Sequence, residues 1–365
     1  MLFIIQTMVA TPLKRFWYFS FVLSLLIVSC NKESNNQVDT RTYRMGFQSS
    51  APRIDFDLAI QSLHLWEQRA DAAMITTEVP WDSLYNGMSP QNYVINNYKG
   101  LVDYYRSKNF KLWVYIDPAN GLNRGSDALA LVARGKSIAQ EDAQLMYWRF
   151  AFVMDSILKP DHLGLALETN LIRGASSSSI YQGVKKAVND ASIEIRTFDQ
   201  HVKMSISIQV DYAWGKLDNS SFKPIDQDFI DFPFVEELGM SSYPYFGFDK
   251  PQDIPLDYYS KLVEGKTIPV FISEGGWSSA TVGAFTGTPE KQRDYITRQA
   301  KLLDNVDAIG LFQLTFTDID ISALPPNVPD NIVLFSSLGL VDKNLNSKPA
   351  LEAWDAIFKR TYSNN

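Results

Sequence analysis

The chain predicts a closed (β/α)8 barrel of the TIM type, an α/β fold built as a single domain. Three observations predict it. Eight short apolar runs of strand character each hand over to a helix or a loop, within roughly 320 residues and with no compositional boundary between them. Alternation of this kind requires a parallel sheet, and eight units at this length favour a barrel over a doubly wound sheet. No Gly-x-Gly-x-x-Gly or Walker loop follows the first strand, which removes the main support for a nucleotide-binding fold.

The leading residues read as a targeting segment rather than as fold. Lys14 and Arg15 form a basic region, and residues 16–28 are an apolar stretch of signal-peptide length, short for a transmembrane span. The stretch ends in Ile27-Val28-Ser29-Cys30, which resembles the bacterial lipobox. That resemblance implies a signal peptide over 1–30, a lipid on Cys30, and an anchor in the cell envelope, on the periplasmic or surface face of the outer membrane. A simple secretory signal or a single anchor helix is the plainer alternative. Residues 31–42 are polar and read as a tether, so the fold begins near Tyr43 and runs to about 360. Met8 is a second candidate start, giving a more typical signal length.

The elements follow in order. Residues 44–49 read as strand one, 56–70 as a helix, and 72–78 as strand two. A helix over 91–107 has Ile95, Tyr98, Val102 and Tyr105 at helical spacing. Strand three covers 111–116, and a loop with Gly121, Gly125 and Gly135 leads to a helix over 141–158 with Met146, Phe150, Val153 and Ile157 as its stripe. Strand four covers 162–167, and a helix follows over 180–191. Strand five (203–210), strand six (238–242), a short helix (256–264) and strand seven (269–273) come next. Thr288-Pro289 starts a helix as an N-cap hydroxyl followed by proline at the first position, with Ile296, Ala300 and Leu303 facing the core. Strand eight covers 308–314, and Ser347-Lys348-Pro349-Ala350 opens the last helix.

Composition excludes several classes of function. The net charge of −7 gives nothing to draw nucleic acid. One cysteine rules out a disulfide framework within the chain, and three histidines make a multi-histidine metal site improbable; no cofactor or metal is expected. Aromatic residues make up 13% of the chain, enough to spare some for sugar rings. A monomer is expected.

In such barrels the chemistry sits at the C-terminal ends of the strands. Those ends carry Phe47 and Gln48, then Glu78 and Trp81, Asp117 and Asn120, Glu168 and Asn170, Asp211, Tyr212 and Trp214, Tyr243 and Tyr245, Glu274 and Trp277, and finally Gln313, Thr315 and Asp318. Arg173 is the nearest basic residue in the sequence. Carboxylates beside aromatic plates suit cleavage of a glycosidic bond. A retaining enzyme needs one carboxyl as nucleophile and one as acid/base, about 5 Å apart. Glu168 and Glu274 are the candidate catalytic pair. Tyr243, Tyr245, Trp277, Glu78, Trp81, Asp117, Asn170, Trp214 and Gln313 are the candidate substrate-binding residues.

The order of these strand ends resembles clan A of the glycoside hydrolases. Ile272-Ser273-Glu274-Gly275-Gly276-Trp277 and Gly239-Met240-Ser241-Ser242-Tyr243-Pro244-Tyr245 look most like segments of the family 53 arabinogalactan endo-β-1,4-galactanases, and Gly339-Leu340-Val341-Asp342 with Lys348-Pro349-Ala350 looks like a closing segment of the clan. The resemblance implies Glu168 as acid/base, Glu274 as nucleophile and a polysaccharide or oligosaccharide substrate. The clan has asparagine immediately before its acid/base; here Leu167 stands there, with Asn170 as the nearby substitute. A barrel of this lineage that binds glycan without cleaving it is the alternative.

Overall fold

A computed structural model describes residues 40–48, 51–325 and 328–363. Cys30 and the targeting segment lie outside the described residues. Eight parallel strands close into a barrel in chain order: β1 (Arg44–Gln48), β2 (Ala72–Glu78), β3 (Lys111–Asp117), β4 (His162–Gly164), β5 (Lys203–Gln209), β6 (Glu237–Ser242), β7 (Val270–Gly275) and β8 (Ala308–Gln313), with β1 pairing β8. The expected fold class is the observed one. A short parallel pair, Thr40–Arg41 with Thr361–Tyr362, ties the two ends of the described fold together. No helix among the described residues is long and apolar enough to cross a membrane.

Strand alternation divides the core in two. Ala72, Met74, Trp113, Tyr115, Phe271 and Phe312 point into the barrel and form one buried cluster with Leu167. Their neighbours Ala73, Ile75, Leu112, Val114, Ile272 and Leu311 point outward and pack with the helices in a larger cluster. The lumen holds whole rings because small residues face them. A Cβ at Gly164 would lie 2.2 Å from the Tyr115 ring, so any side chain there would displace it. The Tyr115 hydroxyl meets Ser205 Oγ at 2.9 Å across the lumen. His162 stacks flat on Trp113 at 3.7 Å between ring centroids and contacts Glu237 at 2.7 Å, closing the bottom of the barrel.

Three predicted helices differ from expectation in regularity or in buried face. The helix over 91–107 is broken into Pro90–Val94, a π-turn at Ile95–Lys99, and Gly100–Ser107. The wider turn rotates Ile95 out to solvent while Tyr98, Val102 and Tyr105 stay buried. The helix over 141–158 forms as expected (Glu141–Leu158), but its buried stripe runs through Ala143, Tyr147, Phe150, Ala151, Met154 and Leu158, with Met146 and Ile157 at its margin. The helix over 256–264 is reduced to a 3-10 turn at Ser260–Val263. Tyr258 and Tyr259 are adjacent yet both fully buried, their hydroxyls reaching Asp211 at 2.7 Å and Ser242 at 3.1 Å. Consecutive residues of an α-helix cannot share one face, so the backbone gives up the helix.

Candidate active site

A cavity of about 680 Å³ opens above the C-terminal ends of the strands. Its floor is built from side chains that alternation already directs inward: Gln48 on β1, Thr76 and Glu78 on β2, Asp117 on β3 and Gln209 on β5. Glu168 and Glu274 join them, each brought in by a local departure from regular backbone.

Glu274 follows Ile272 at a spacing of two, and Ile272 faces the helices. A regular strand would therefore turn Glu274 outward. The β6–β7 ladder slips at this point: Met240 pairs with Ile272, but Ser241 pairs with Glu274, so Ser273 is the extra residue of a bulge. The bulge turns Glu274 into the cavity. Ser273 is spent on the rim, where its carbonyl accepts from Gln48 Nε2 at 3.1 Å.

Glu168 arrives differently. Regular β4 pairing ends at Gly164, and Leu167 points into the lumen cluster. Glu168 then takes a left-handed conformation, φ 52° and ψ 45°, rare for a side chain of this size. It opens the helix Thr169–Ala175, and its N–H donates to Ser207 Oγ at 3.0 Å. This turn swings the carboxylate over the barrel.

The two carboxylates have unlike surroundings. Glu168 is buried and accepts from Arg124 Nε at 2.7 Å and from Ser241 Oγ at 2.6 Å. Arg124, itself buried, also donates from Nη1 to Asp117 at 2.6 Å. One guanidinium thus bridges two carboxylates. Glu274 makes no ion pair among the described residues. Burial and then the charge of Glu168 push its carboxyl up to about 8; Arg124 and the Ser241 hydroxyl offset only part of this. Ser241, bonded to Glu168 and cross-strand neighbour of Glu274, stands between them. Glu168 thus has a guanidinium partner, while burial and a neighbouring carboxyl disfavour the charged form of Glu274. Glu78, open to the cavity, is also raised, first by desolvation and then by the charge of Asp117. Burial, and then the neighbouring carboxyl groups of Glu274 and Glu168, push the Tyr243 hydroxyl well above its ordinary range.

Of the residues expected from the sequence, Glu168, Glu274, Glu78, Asp117 and Tyr243 line the cavity, and six do not. Asn170 turns away: its amide donates to the Gln209 carbonyl at 3.0 Å and accepts from the Gln209 N–H at 2.7 Å, so it splints β5 and cannot replace the asparagine that Leu167 lacks. Gln313 faces outward and donates to Gln299 on the helix Pro289–Leu303 at 2.9 Å. Trp277 is buried against Tyr295 and Tyr245. Tyr245 is buried too, its hydroxyl donating to the Leu334 carbonyl at 2.9 Å. Trp81 is in the core, and Trp214 stacks on Tyr258 and donates to its carbonyl at 2.9 Å. The large rings go to packing because their apolar area is worth more buried than exposed.

Sequence reading missed Arg124 and named Arg173 instead. Arg173 pairs with Asp228, itself held by Thr169, outside the cavity. Arg124 sits seven residues past Asp117 on a loop, where no periodicity points to it. Gln48, Thr76 and Gln209 were recoverable, since each has the parity of an inward strand position. Buried Gln48 Oε1, Thr76 Oγ1 and Thr315 Oγ1 have no hydrogen-bond partner among the described residues, and all three residues border the cavity. Buried polar atoms without partners at a cavity mark places where a ligand can supply them. Among the described residues no cluster of metal-ligating side chains occurs.

No family model matches the chain, and no curated protein matches it. Solved structures do. A β-glucuronidase from an uncultured Clostridium sp. aligns at a TM-score of 0.57 and 15% identity, over 88% of this chain and 51% of its own. An exo-β-1,4-mannosidase from Opitutaceae bacterium strain TAV5 aligns at 0.65 and 14%, over 87% of this chain and 59% of its own. Xylanase 10B from Thermotoga maritima aligns at 0.60 and 12%, over 87% and 95%. The chain spans only about half the length of the first two. At these identities the likeness establishes the fold: the (β/α)8 barrel that proteins named for cleaving carbohydrates also use.

Proposed function

We propose that this chain is a retaining glycoside hydrolase with Glu168 and Glu274 as its catalytic pair, working without metal or cofactor. The observation that carries the reading is two glutamates from β4 and β7 meeting in one cavity in unlike surroundings, Glu168 in an ion pair with Arg124 and Glu274 in none among the described residues. Double displacement needs one ionised carboxyl and one protonated one. The unpartnered atoms of Gln48, Thr76 and Thr315 suit sugar hydroxyls. The names of the structural neighbours support a carbohydrate substrate.

The ion pair of Arg124 with Glu168 favours a division of labour opposite to that implied by strand position, and the upward shift of Glu274 agrees with it. Glu274 gives its proton to the glycosidic oxygen as the bond from that oxygen to the anomeric carbon breaks. Glu168 bonds to the anomeric carbon. Glu274, now a carboxylate, takes a proton from water, whose oxygen displaces Glu168 and releases the sugar with its configuration retained. Azide separates the assignments. In Glu168→Ala, azide should attack the substrate directly and yield a glycosyl azide of inverted configuration. In Glu274→Ala, it should intercept the glycosyl-enzyme and yield the retained one. The opposite pattern would return the nucleophile's part to Glu274.

One observation favours the second reading, a barrel that binds glycan without cleaving it: the ion pair with Arg124 already engages Glu168. A screen of galactans, mannans, glucans, xylans and short glycosides decides between them. Arabinogalactan belongs in it because of the segments at 239–245 and 272–277. Binding without turnover by the parent protein would favour the second reading. We further propose that the barrel acts as a monomer held in the cell envelope by a lipid on Cys30, following the pattern of residues 14–30; metabolic labelling with a fatty acid, lost in Cys30→Ser, tests the anchor.

A further inference from the structure

Above its polar floor the cavity changes character. Leu122 on the loop after β3, Leu129 at the start of the short helix Leu129–Ala133 that follows it, Leu217 on the loop after β5, and Ile319, Ile332 and Phe335 on the long connection after β8 form its walls. Leu129 and Leu217 are 53% and 39% exposed, an unfavourable position for large aliphatic side chains with nothing to cover them. They come from different strand connections yet border the one cavity that Glu168 and Glu274 also line. The walls are held in place by specific bonds: Asn331 Nδ2 donates to the Leu122 carbonyl at 2.8 Å, and Tyr245 donates to the Leu334 carbonyl. No tryptophan among the described residues borders the cavity, so the indole platforms that the sequence suggested for a chain of sugar rings pack elsewhere.

A volume of about 680 Å³ suits a small molecule rather than a long polymer. Its two zones require two kinds of surface on one ligand. Resting on the reading of the floor as a glycosidase site, we infer that the substrate is a glycoside carrying an aliphatic aglycone, with the sugar on the carboxylate floor and the aglycone along the leucine and isoleucine walls. Hydrolysis then adds water across the bond between the anomeric carbon and the aglycone oxygen, releasing a free sugar and an aliphatic alcohol.

The test uses methyl and octyl β-glycosides of glucose, galactose, mannose and xylose, all below micellar concentration. Each methylene fully removed from water is worth up to about fourfold in binding, so kcat/KM for an octyl glycoside should exceed that of its methyl partner by about tenfold or more. Leu129→Asn combined with Leu217→Asn should lower that ratio, whereas Ile193→Asn, on a helix face away from the cavity, should leave it unchanged. Equal rates for methyl and octyl partners, or a preference for unsubstituted oligosaccharides, overturn the inference while leaving the hydrolase reading intact. Should no glycoside be cleaved, calorimetry still decides: octyl glycosides binding no more tightly than methyl ones would overturn it, and at least tenfold tighter binding would uphold the two-zone site while the hydrolase reading fails.

Discussion

The ends of β4 and β7 bear the same side chain and carry it into the same cavity by opposite means. At β7 one extra residue in the ladder shifts the register and flips Glu274 from the helix side to the lumen side. At β4 regular pairing stops early, and a left-handed residue turns the chain. Their neighbours then separate them. Glu168 meets a buried guanidinium and a serine hydroxyl, while Glu274 meets burial and another negative charge. Two identical groups thereby meet opposite electrostatic surroundings, set by what stands within a few ångströms of each.

The largest effect expected is on turnover. Glu168→Gln and Glu274→Gln should each reduce kcat by about a thousandfold or more, measured on whichever glycoside the screen identifies. Loss in only one of them would mean the two ends are not partners. Arg124→Met removes the feature that distinguishes them. It leaves Asp117 and Glu168 buried without their cation and should cost about 3–5 kcal/mol of stability, read by denaturant unfolding. A loss below about 1 kcal/mol would show that Arg124 does not hold the charge on Glu168.

Next is pH. If Glu274 is the proton donor, kcat/KM should fall as pH rises through about 8. Stability follows the same sign. The folded protein keeps this proton up to about 8, whereas an unperturbed glutamate releases it near 4.5. Between these values the folded state binds more protons, so the contribution present below about 4.5 is lost as pH rises through 8. Asp155, pushed up to about 7 by burial and by Asp199, adds a slope of its own. The difference between Glu274→Gln and the parent isolates Glu274: the variant should gain in Tm relative to the parent from pH 5 to pH 9. A constant difference would put the proton elsewhere. The smallest effect tests the residues that left the site. Trp277→Phe should change kcat/KM by less than about threefold, because the indole packs on Tyr295 outside the cavity. A large loss would bring Trp277 back to the substrate.

Much of the floor was legible from strand parity. Met74, Thr76 and Glu78 share a face of β2, and Trp113, Tyr115 and Asp117 share one of β3, so Glu78 and Asp117 follow once the strands are found. The same rule assigns Gln48 and Gln209 to the lumen and turns Gln313 away from it. It fails at the two catalytic candidates. Parity places Glu274 on the helix side, and β4 has ended before Glu168 is reached. Both were chosen from their chemistry and position at strand ends, not from facing. The aromatic residues misled because an isolated Trp or Tyr reads alike whether it stacks on a sugar or on Tyr258.

By itself the sequence determined the barrel, its eight strands and the carboxylates at their ends. These depend on periodicity and burial, which are properties of consecutive residues. Tertiary structure alone decided which glutamate meets a cation, since Arg124 and Ser241 reach Glu168 across separations of 44 and 73 residues. It also decided that aliphatic walls, drawn from loops after β3, β5 and β8, stand over a polar floor. Charge and enclosure depend on distances in space, and no local pattern encodes a contact that forms only when the barrel closes.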